Sequence, residues 1–341
     1  MLNKLKNTTA LVGALSIAAS ASYAETKITA ALEQTLHGHS QDLAARKING
    51  SSGFGTETTI AINSGKDLAG GWKATYGFDV EMDGTGAKSD YKYLTLSSGA
   101  FSLTVGEDVG DNLQSTVIPF VSDNFETIGG STGAGLNFES HGSGLNVHER
   151  AHIGANYKFP GGQATLRYAP NNAGPVGDSY SDASSTTAKG TTGGTSAMEY
   201  LISGKTAGVG YRLGRMDGGK ADSANAGGDN DYTVYGLSYG MSGFTVAAEK
   251  RITDRTTTAA TAEKTATQYG VAYATKDFSA GIYMLKNEQD ATATEEEAKM
   301  IQVGYNMGGL GIDISYAQIE NAGFANGADA DVWQIRTIQK F

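Results

Sequence analysis

The sequence predicts an all-β fold: a closed, transmembrane antiparallel barrel of about sixteen strands, with a long third loop folded into its lumen. Three observations predict it. Short segments that alternate apolar and polar residues run from Lys27 to the C-terminus. The connections between them alternate, long then short, so the long links gather at one end and both chain ends lie with the tight turns. One connection, Gly106–Arg150, has no sustained period-two alternation yet carries its own apolar anchors. A soluble sandwich has no reason to gather its long loops at one end. An outer-membrane barrel does, with short periplasmic turns and longer outer loops. Strands of about ten residues with one apolar face match the span a bilayer requires. Closure also suits a chain with no cysteine. In lipid every backbone group must be paired and no strand edge can stay open.

The first twenty-four residues read as an export leader and not as part of the fold. Lys4 and Lys6 form a positive start, Thr8 to Ala19 is apolar and small, and Ser22-Tyr23-Ala24 has the small residues of a cleavage site after Ala24. The domain division is thus 1–24 leader and 25–341 barrel. The chain is acidic, with a formal net charge of −10, which makes it a poor partner for nucleic acid. Beyond the leader no apolar run approaches the ~18 residues of a membrane helix. With 47 glycines, 4 prolines and 17 tyrosines, the composition favours antiparallel strands over helices.

The elements follow in order. In Lys27–His37 the residues Ile28, Ala30, Leu32 and Leu36 share one face. Phe54–Ile62 sets Ile60 and Ile62 opposite Glu57 and Thr59, and Asn63–Gly71 is a turn. Trp72–Met82 is the clearest case: Trp72, Ala74, Tyr76, Phe78, Val80 and Met82 oppose Lys73, Thr75, Asp79 and Glu81. Asp90–Ser97 gives no clean register. Phe101–Glu107 follows a Ser98-Gly99 turn. After the long loop, Ala151–Phe159 and Gln163–Ala169 flank Pro160-Gly161-Gly162. Ser196–Gly204 pairs with Ala207–Arg215, and Asp231–Tyr239 with Phe244–Thr253. Thr265–Thr275 pairs with Phe278–Asn287, Lys299–Met307 with Leu310–Glu320, and Asp329–Phe341 closes the chain. Asn171–Thr195, Asp217–Asn230, Asp254–Lys264, Glu288–Glu296 and Asn321–Ala328 read as loops. Aromatic residues near the strand ends are expected to form interfacial girdles.

Catalytic and metal motifs are weak. His148-Glu149-Arg150-Ala151-His152 matches H-E-x-x-H, but that chemistry needs a helix to bring both imidazoles to one metal. On a strand, residues four apart lie roughly 13 Å apart. His37 and His39 are read as a surface pair, and Asp229-Asn230-Asp231 as a solvated loop. Neither G-x-S-x-G nor a P-loop is present. The sequence therefore predicts no enzyme, no cofactor and no metal.

The leader, the sixteen segments, the long loop after the fifth strand, the strand-turn Asn156-Tyr157-Lys158-Phe159-Pro160-Gly161-Gly162 and the terminal Lys340-Phe341 belong together. With them the chain resembles the general porins of Gram-negative bacteria, over its whole mature length. The resemblance implies a diffusion channel for small hydrophilic solutes in the outer membrane, among lipid and lipopolysaccharide. It implies a third loop that sets the narrowest point, a homotrimer, and a Phe341 read by the barrel-assembly machinery. Three places depart from the family's pattern. Gln339 stands where an aromatic or His is common, Gly106-Glu107 where Gly-Arg is common, and the second link, Asp83–Lys88, is short. They bear on the basic half of the constriction and on the trimer latch, not on the barrel.

Within the long loop, Val117, Ile118, Phe120, Val121, Phe125, Ile128, Leu136 and Phe138 are expected to pack it against the wall. Asp108, Asp111, Asp123 and Glu126 then line the gap. Alternation puts Lys27, Lys73, Lys158, Arg167 and Arg212 on the lumen side of the wall. The expected outcome is a weak cation preference, the wall bases partly offsetting the loop acids. A barrel with a plugged pore, acting as an adhesin or structural protein, is the alternative, and a soluble exported β protein a more distant one.

Overall fold

A computed structural model describes residues 25–40, 52–82, 87–89, 91–107, 112–113, 115–121, 152–169, 196–218, 230–256, 261–290, 292–324 and 326–341. Its strands are β1 (Glu25–His39), β2 (Ser52–Asp67), β3 (Lys73–Met82), β4 (Ala87–Lys88), β5 (Lys92–Ser98), β6 (Phe101–Glu107), β7 (His152–Phe159), β8 (Gly162–Ala169) and β9 (Ala197–Thr206). They continue as β10 (Val209–Asp217), β11 (Asn230–Met241), β12 (Phe244–Thr256), β13 (Thr261–Ala274), β14 (Phe278–Gln289), β15 (Thr292–Asn306), β16 (Leu310–Glu320) and β17 (Ala330–Lys340). Strand β4 is a two-residue bridge on β3, so sixteen long strands form the wall. Every pairing is antiparallel between neighbours in the chain, apart from the bridge that β5 bypasses, and β17 pairs back onto β1 from Ala31↔Lys340 to His39↔Val332. The ladder is closed, as the absence of cysteine and the alternation predict.

Burial follows the pleat with period two. On β8 and β10 the apolar Leu166, Tyr168 and Leu213 are exposed, while Thr165, Arg167, Arg212 and Met216 are buried. The exposed face is the outside, a continuous apolar skin that includes Leu237, Val246, Ile282, Ile301 and Ile314. No water-soluble protein carries so large an apolar surface, whereas lipid requires it. Tyr157, Tyr239, Phe244, Phe278 and Tyr305 stand in this skin near the tight turns, and Tyr168, Tyr200, Tyr235 and Tyr316 nearer the other end. These are the two aromatic girdles.

The tight turns have local causes. Ala207-Gly208 and Ser242-Gly243 both have two consecutive positive φ values, 48° and 83°, then 52° and 84°. That is the hairpin turn whose twist matches the strands it joins.

Several sequence boundaries move. Strand β2 continues to Asp67, where a turn was expected from Asn63. The expected loops Asp254–Lys264 and Glu288–Glu296 are mostly strand, with β12 and β13 reaching Thr256 and Thr261, and β14 and β15 reaching Gln289 and Thr292. These extensions carry charge on their outer face, so apolar alternation could not reveal them. Lys286 there pairs with Glu288 and Glu295 at 3.0 and 2.8 Å, and Lys299 with Glu320 at 3.3 Å. Strand β5, whose register was open, turns Leu94 and Leu96 outward and Tyr93, Thr95 and Ser97 inward.

Candidate functional site

The described part of the long loop, Asn112–Val121, lies against the inner face of the wall. It follows the strands in order, from β9 to β15. Leu113 is fully buried with Leu201, Met216, Tyr232 and Val234. Ile118 is buried with Ala247, Ala266, Tyr283, Leu285 and Met300, and Val117 and Phe120 pack on the same cluster. Of the apolar anchors named from sequence, Val117, Ile118, Phe120 and Val121 lie against the wall, while Phe125, Ile128, Leu136 and Phe138 lie outside the described residues; Leu113, the most buried anchor, was not among them.

Polar contacts fix the path. The Val117 N–H donates to Glu249 Oε2 at 3.0 Å, and the Val121 N–H to Gln302 Oε1 at 2.9 Å. The Tyr283 hydroxyl donates to the Pro119 carbonyl at 2.8 Å, and its ring lies 4.8 Å from that of Phe120. The buried Arg251 donates to the Ser115 carbonyl at 3.2 Å while its Nε holds Glu249 Oε1 at 2.7 Å. Glu249 therefore joins wall cation and loop amide through its two oxygens. A loop backbone crossing a lumen needs such partners, because its N–H and C=O groups have no sheet neighbour there.

Glycines make the room. A Cβ on Gly214 of β10 would stand 2.2 Å from Leu113, one on Gly236 of β11 2.6 Å from Val117, one on Gly270 of β13 2.8 Å from Ile118, and one on Gly304 of β15 2.8 Å from Val121. These four inward positions form a seat into which the loop side chains fit. At the loop's root, Gly106 has φ 155° and a Cβ there would lie 2.2 Å from the Lys92 carbonyl oxygen. Only glycine fits that conformation so close to β5.

The remaining lumen wall is polar and bears most of its acids on one arc. Arg336 of β17 reaches Glu33 of β1 at 3.5 Å and Asp313 of β16 at 3.3 Å. Glu33 is directly opposite Glu57 of β2 in register, and Thr59, two residues on, is opposite Glu81 of β3. Asp79 accepts from the Tyr91 N–H at 3.1 Å. Asp313 of this arc is level with the loop's Val121, since a Cβ on Gly304 would touch both, each at 2.8 Å.

The residues read from sequence fall in three groups. Arg167 and Arg212 are buried on the inner face near the start of the loop path, Arg167 paired with Glu199. Lys27, Lys73 and Lys158 are also on the lumen side but exposed at the tight-turn end, within three residues of a strand end. Asp108, Asp111, Asp123, Glu126 and His148 lie outside the described residues, as does Asp229. Asn230 and Asp231, read as a solvated loop, instead begin β11, where cross-strand pairing with Arg255 and Asp254 extends the ladder and Asp231 accepts from Arg215 at 2.8 Å. His152 is buried on β7, on strand spacing. His37, expected as a surface residue, is half-buried on β1 against Gly53 of β2. Glu249, Arg251, Tyr283, Gln302 and the seat glycines were not singled out in the sequence. Their one signal there is inward parity, glycine or a polar residue between outward apolar positions.

Among solved structures the fold is shared with an anion-selective porin of Comamonas acidovorans, at 14% identity and TM-score 0.67, covering 93% of this chain and 100% of that one. It is shared with a loop L8 deletion mutant of the outer membrane protein OmpT of Vibrio cholerae, at 10% identity and TM-score 0.64, covering 94% and 100%. It is shared also with a mutant porin of Rh. blastica, at 14% identity and TM-score 0.62, covering 93% and 100%. Among curated proteins no sequence match is found. The family model described as Gram-negative porin matches residues 8–338, nearly the whole chain. A lipid-suited closed wall, a polar lumen and a loop seated inside it are what that family builds, and the chain belongs to the Gram-negative porins, channels of the outer membrane.

Proposed function

We propose that the chain is a passive diffusion channel for small hydrophilic solutes and ions, constricted by the loop 106–150 and weakly cation-preferring. The observation that carries this reading is the pinning of Asn112–Val121 to the inner wall by Glu249, Arg251, Tyr283 and Gln302. A loop held along half the circumference narrows the pore without needing to fill it. Asp108, Asp111, Asp123 and Glu126 belong to the same loop and supply negative charge beside the gap. Rings of acids favour cations at close range, and low-dielectric walls focus their field. Lys27, Lys73, Lys158, Arg167 and Arg212 keep the preference modest. The protein works as a homotrimer in a membrane of lipid and lipopolysaccharide. Residues 1–24 are removed on export, Phe341 serves barrel assembly, and the protein carries out no catalysis.

Planar bilayers test the reading. Purified, unboiled protein is expected to give discrete current steps and a zero-current potential on the cation side in a salt gradient. Replacing Asp123 and Glu126 by Asn and Gln is expected to move that potential toward anions. A folded barrel that carries no current would favour the plugged adhesin instead.

A further inference from the structure

We propose that the pore is electrically bipolar along its axis, an acidic zone on β1–β3 in series with a lysine mouth, and therefore rectifies ionic current. The inference rests on the channel reading above.

The lysine mouth comprises Lys27, Lys73, Lys158 and Lys205, on β1, β3, β7 and β9. Each shares its strand's inward face: Lys73 with Asp79 and Glu81, Lys158 with His152, and Lys205 with Leu201 and Ser203. All four are exposed, and each is within three residues of the tight-turn end of its strand. Lys340, inward on β17, is opposite Ala31, two residues from Glu33, and so lies between the mouth and the acidic zone. Among the described strand residues within three of a tight-turn end, Asp67, opposite Lys73 in register, and Asp313 of β16 are acids of inward parity.

The acidic zone lies further up the same strands. Glu33 is six residues beyond Lys27 on β1, and Glu81 eight beyond Lys73 on β3. At ~3.3 Å per residue and a barrel tilt of about 40°, the two zones are roughly 15–20 Å apart along the axis. On β1–β3 the zone holds the carboxylates Glu33, Glu57, Glu81 and Asp79 and one guanidinium, Arg336 of β17, which lies 3.5 Å from Glu33 and 3.3 Å from Asp313. On the loop-covered arc Arg167 is paired with Glu199 and Arg251 with Glu249, while Arg212 adds a further cation. The zone remains net negative.

Two zones of opposite sign in series make a junction. Cations are enriched in the acidic zone and anions in the lysine zone. When the long-loop side is positive, both enriched species are driven into the junction and the conductance rises. When it is negative, both are drawn out and the conductance falls. The separation exceeds the screening length of ~10 Å at 0.1 M salt, so the zones act as distinct regions. At 1 M the length falls to ~3 Å and the effect fades.

The test is the current at equal and opposite voltages in planar bilayers. Because the chain has no cysteine, an Ala100→Cys variant in the β5–β6 turn, blocked from one side by a bulky impermeant thiol reagent, reports orientation. The wild type is expected to pass about 1.5 times or more current with the long-loop side positive at 0.1 M, falling toward parity at 1 M. K27Q/K73Q/K158Q/K205Q is expected to lose the asymmetry and strengthen the cation preference. E33Q/E57Q/E81Q is expected to lose the asymmetry while moving the preference toward anions. Unchanged heat-modifiable migration checks that each variant is folded. Symmetrical current from an open wild-type channel, or asymmetry that survives both variants, overturns the inference and leaves the channel reading intact. A folded wild type with no current overturns both.

Discussion

From β10 to β15 the inward positions are glycines, apolar side chains such as Ala247, Ala266 and Met300, and hydrogen-bonding groups, and a segment of the chain itself lies on them. From β16 through β17 to β3 the inward positions beyond the lysines include Asp313, Glu33, Glu57, Glu81 and Asp79 with Arg336, and no described loop residue beyond Val121 reaches them. Both arcs belong to one closed ladder with one pleat. The difference teaches that the lumen face is not a uniform polar lining. One arc is specialised to hold a shape, the other to present charge. Stability should therefore respond mainly to changes on the first, and ion preference mainly to changes on the second.

Glu249→Ala gives the largest test of that separation. It removes the acceptor of Val117 N–H and the partner of the buried Arg251 at once. Breaking such a pair costs about 3–5 kcal/mol, and the double variant E249M/R251M should recover much of it. The temperature at which the unboiled form disappears on a gel checks both, and the single variant should also show noisier open-channel current. A wild-type melting temperature in E249A would mean the loop is held some other way.

Gly270→Val comes next. It drives atoms into Ile118 and Pro119, and overpacking of that kind costs about 1–3 kcal/mol or displaces the loop. Single-channel conductance should shift together with stability. The control outside the seat is Gly154→Ala of β7, where the nearest atom to a new Cβ, Cγ of Arg167, is 3.4 Å away, an ordinary contact. It should alter neither conductance nor stability, and if the two glycines behave alike the seat is not specialised.

Tyr283→Phe is the smallest. It removes one hydrogen bond, to the Pro119 carbonyl, and leaves the ring against Phe120. The expected loss is about 0.5–1.5 kcal/mol by thermal denaturation. Its zero-current potential should not move, since no charge changes.

Much of the fold was legible because a barrel wall states its pleat residue by residue. Phe78, Val80 and Met82 against Asp79 and Glu81 fix which face meets lipid, and Pro160-Gly161 or Ser242-Gly243 fix where the strand reverses. The loop was legible through Val117, Ile118, Phe120 and Val121, apolar residues too many for a solvated link. Alternation states the face of a residue but not its height or its place on the circumference. Lys73 and Arg167 both point inward, yet one stands at a mouth and the other beside the loop, because height follows from the stagger between strands. Glu33 and Glu57 read separately as polar positions, and only pairing sets them opposite each other. The seat glycines were hidden for a related reason. Glycine at an inward position looks like a weak strand residue until the chain segment that fills its space is known.

The pairing of β17 with β1 has a consequence in time. Asp331 N–H reaches Ser40 Oγ at 2.9 Å across a sequence separation of 291 residues, and the closing register joins the two outermost strands. Contacts of that separation form slowly, because the loop-closure entropy of nearly the whole chain must be overcome before any of them forms. Until β17 is present, β1 and β16 are open edges, and an open edge has no tolerable resting state in lipid or in water. Completion is thus a single late event: a chain lacking its last strand is not a slightly smaller channel but an unfinished one, kept from aggregation only by whatever escorts it until the ends meet.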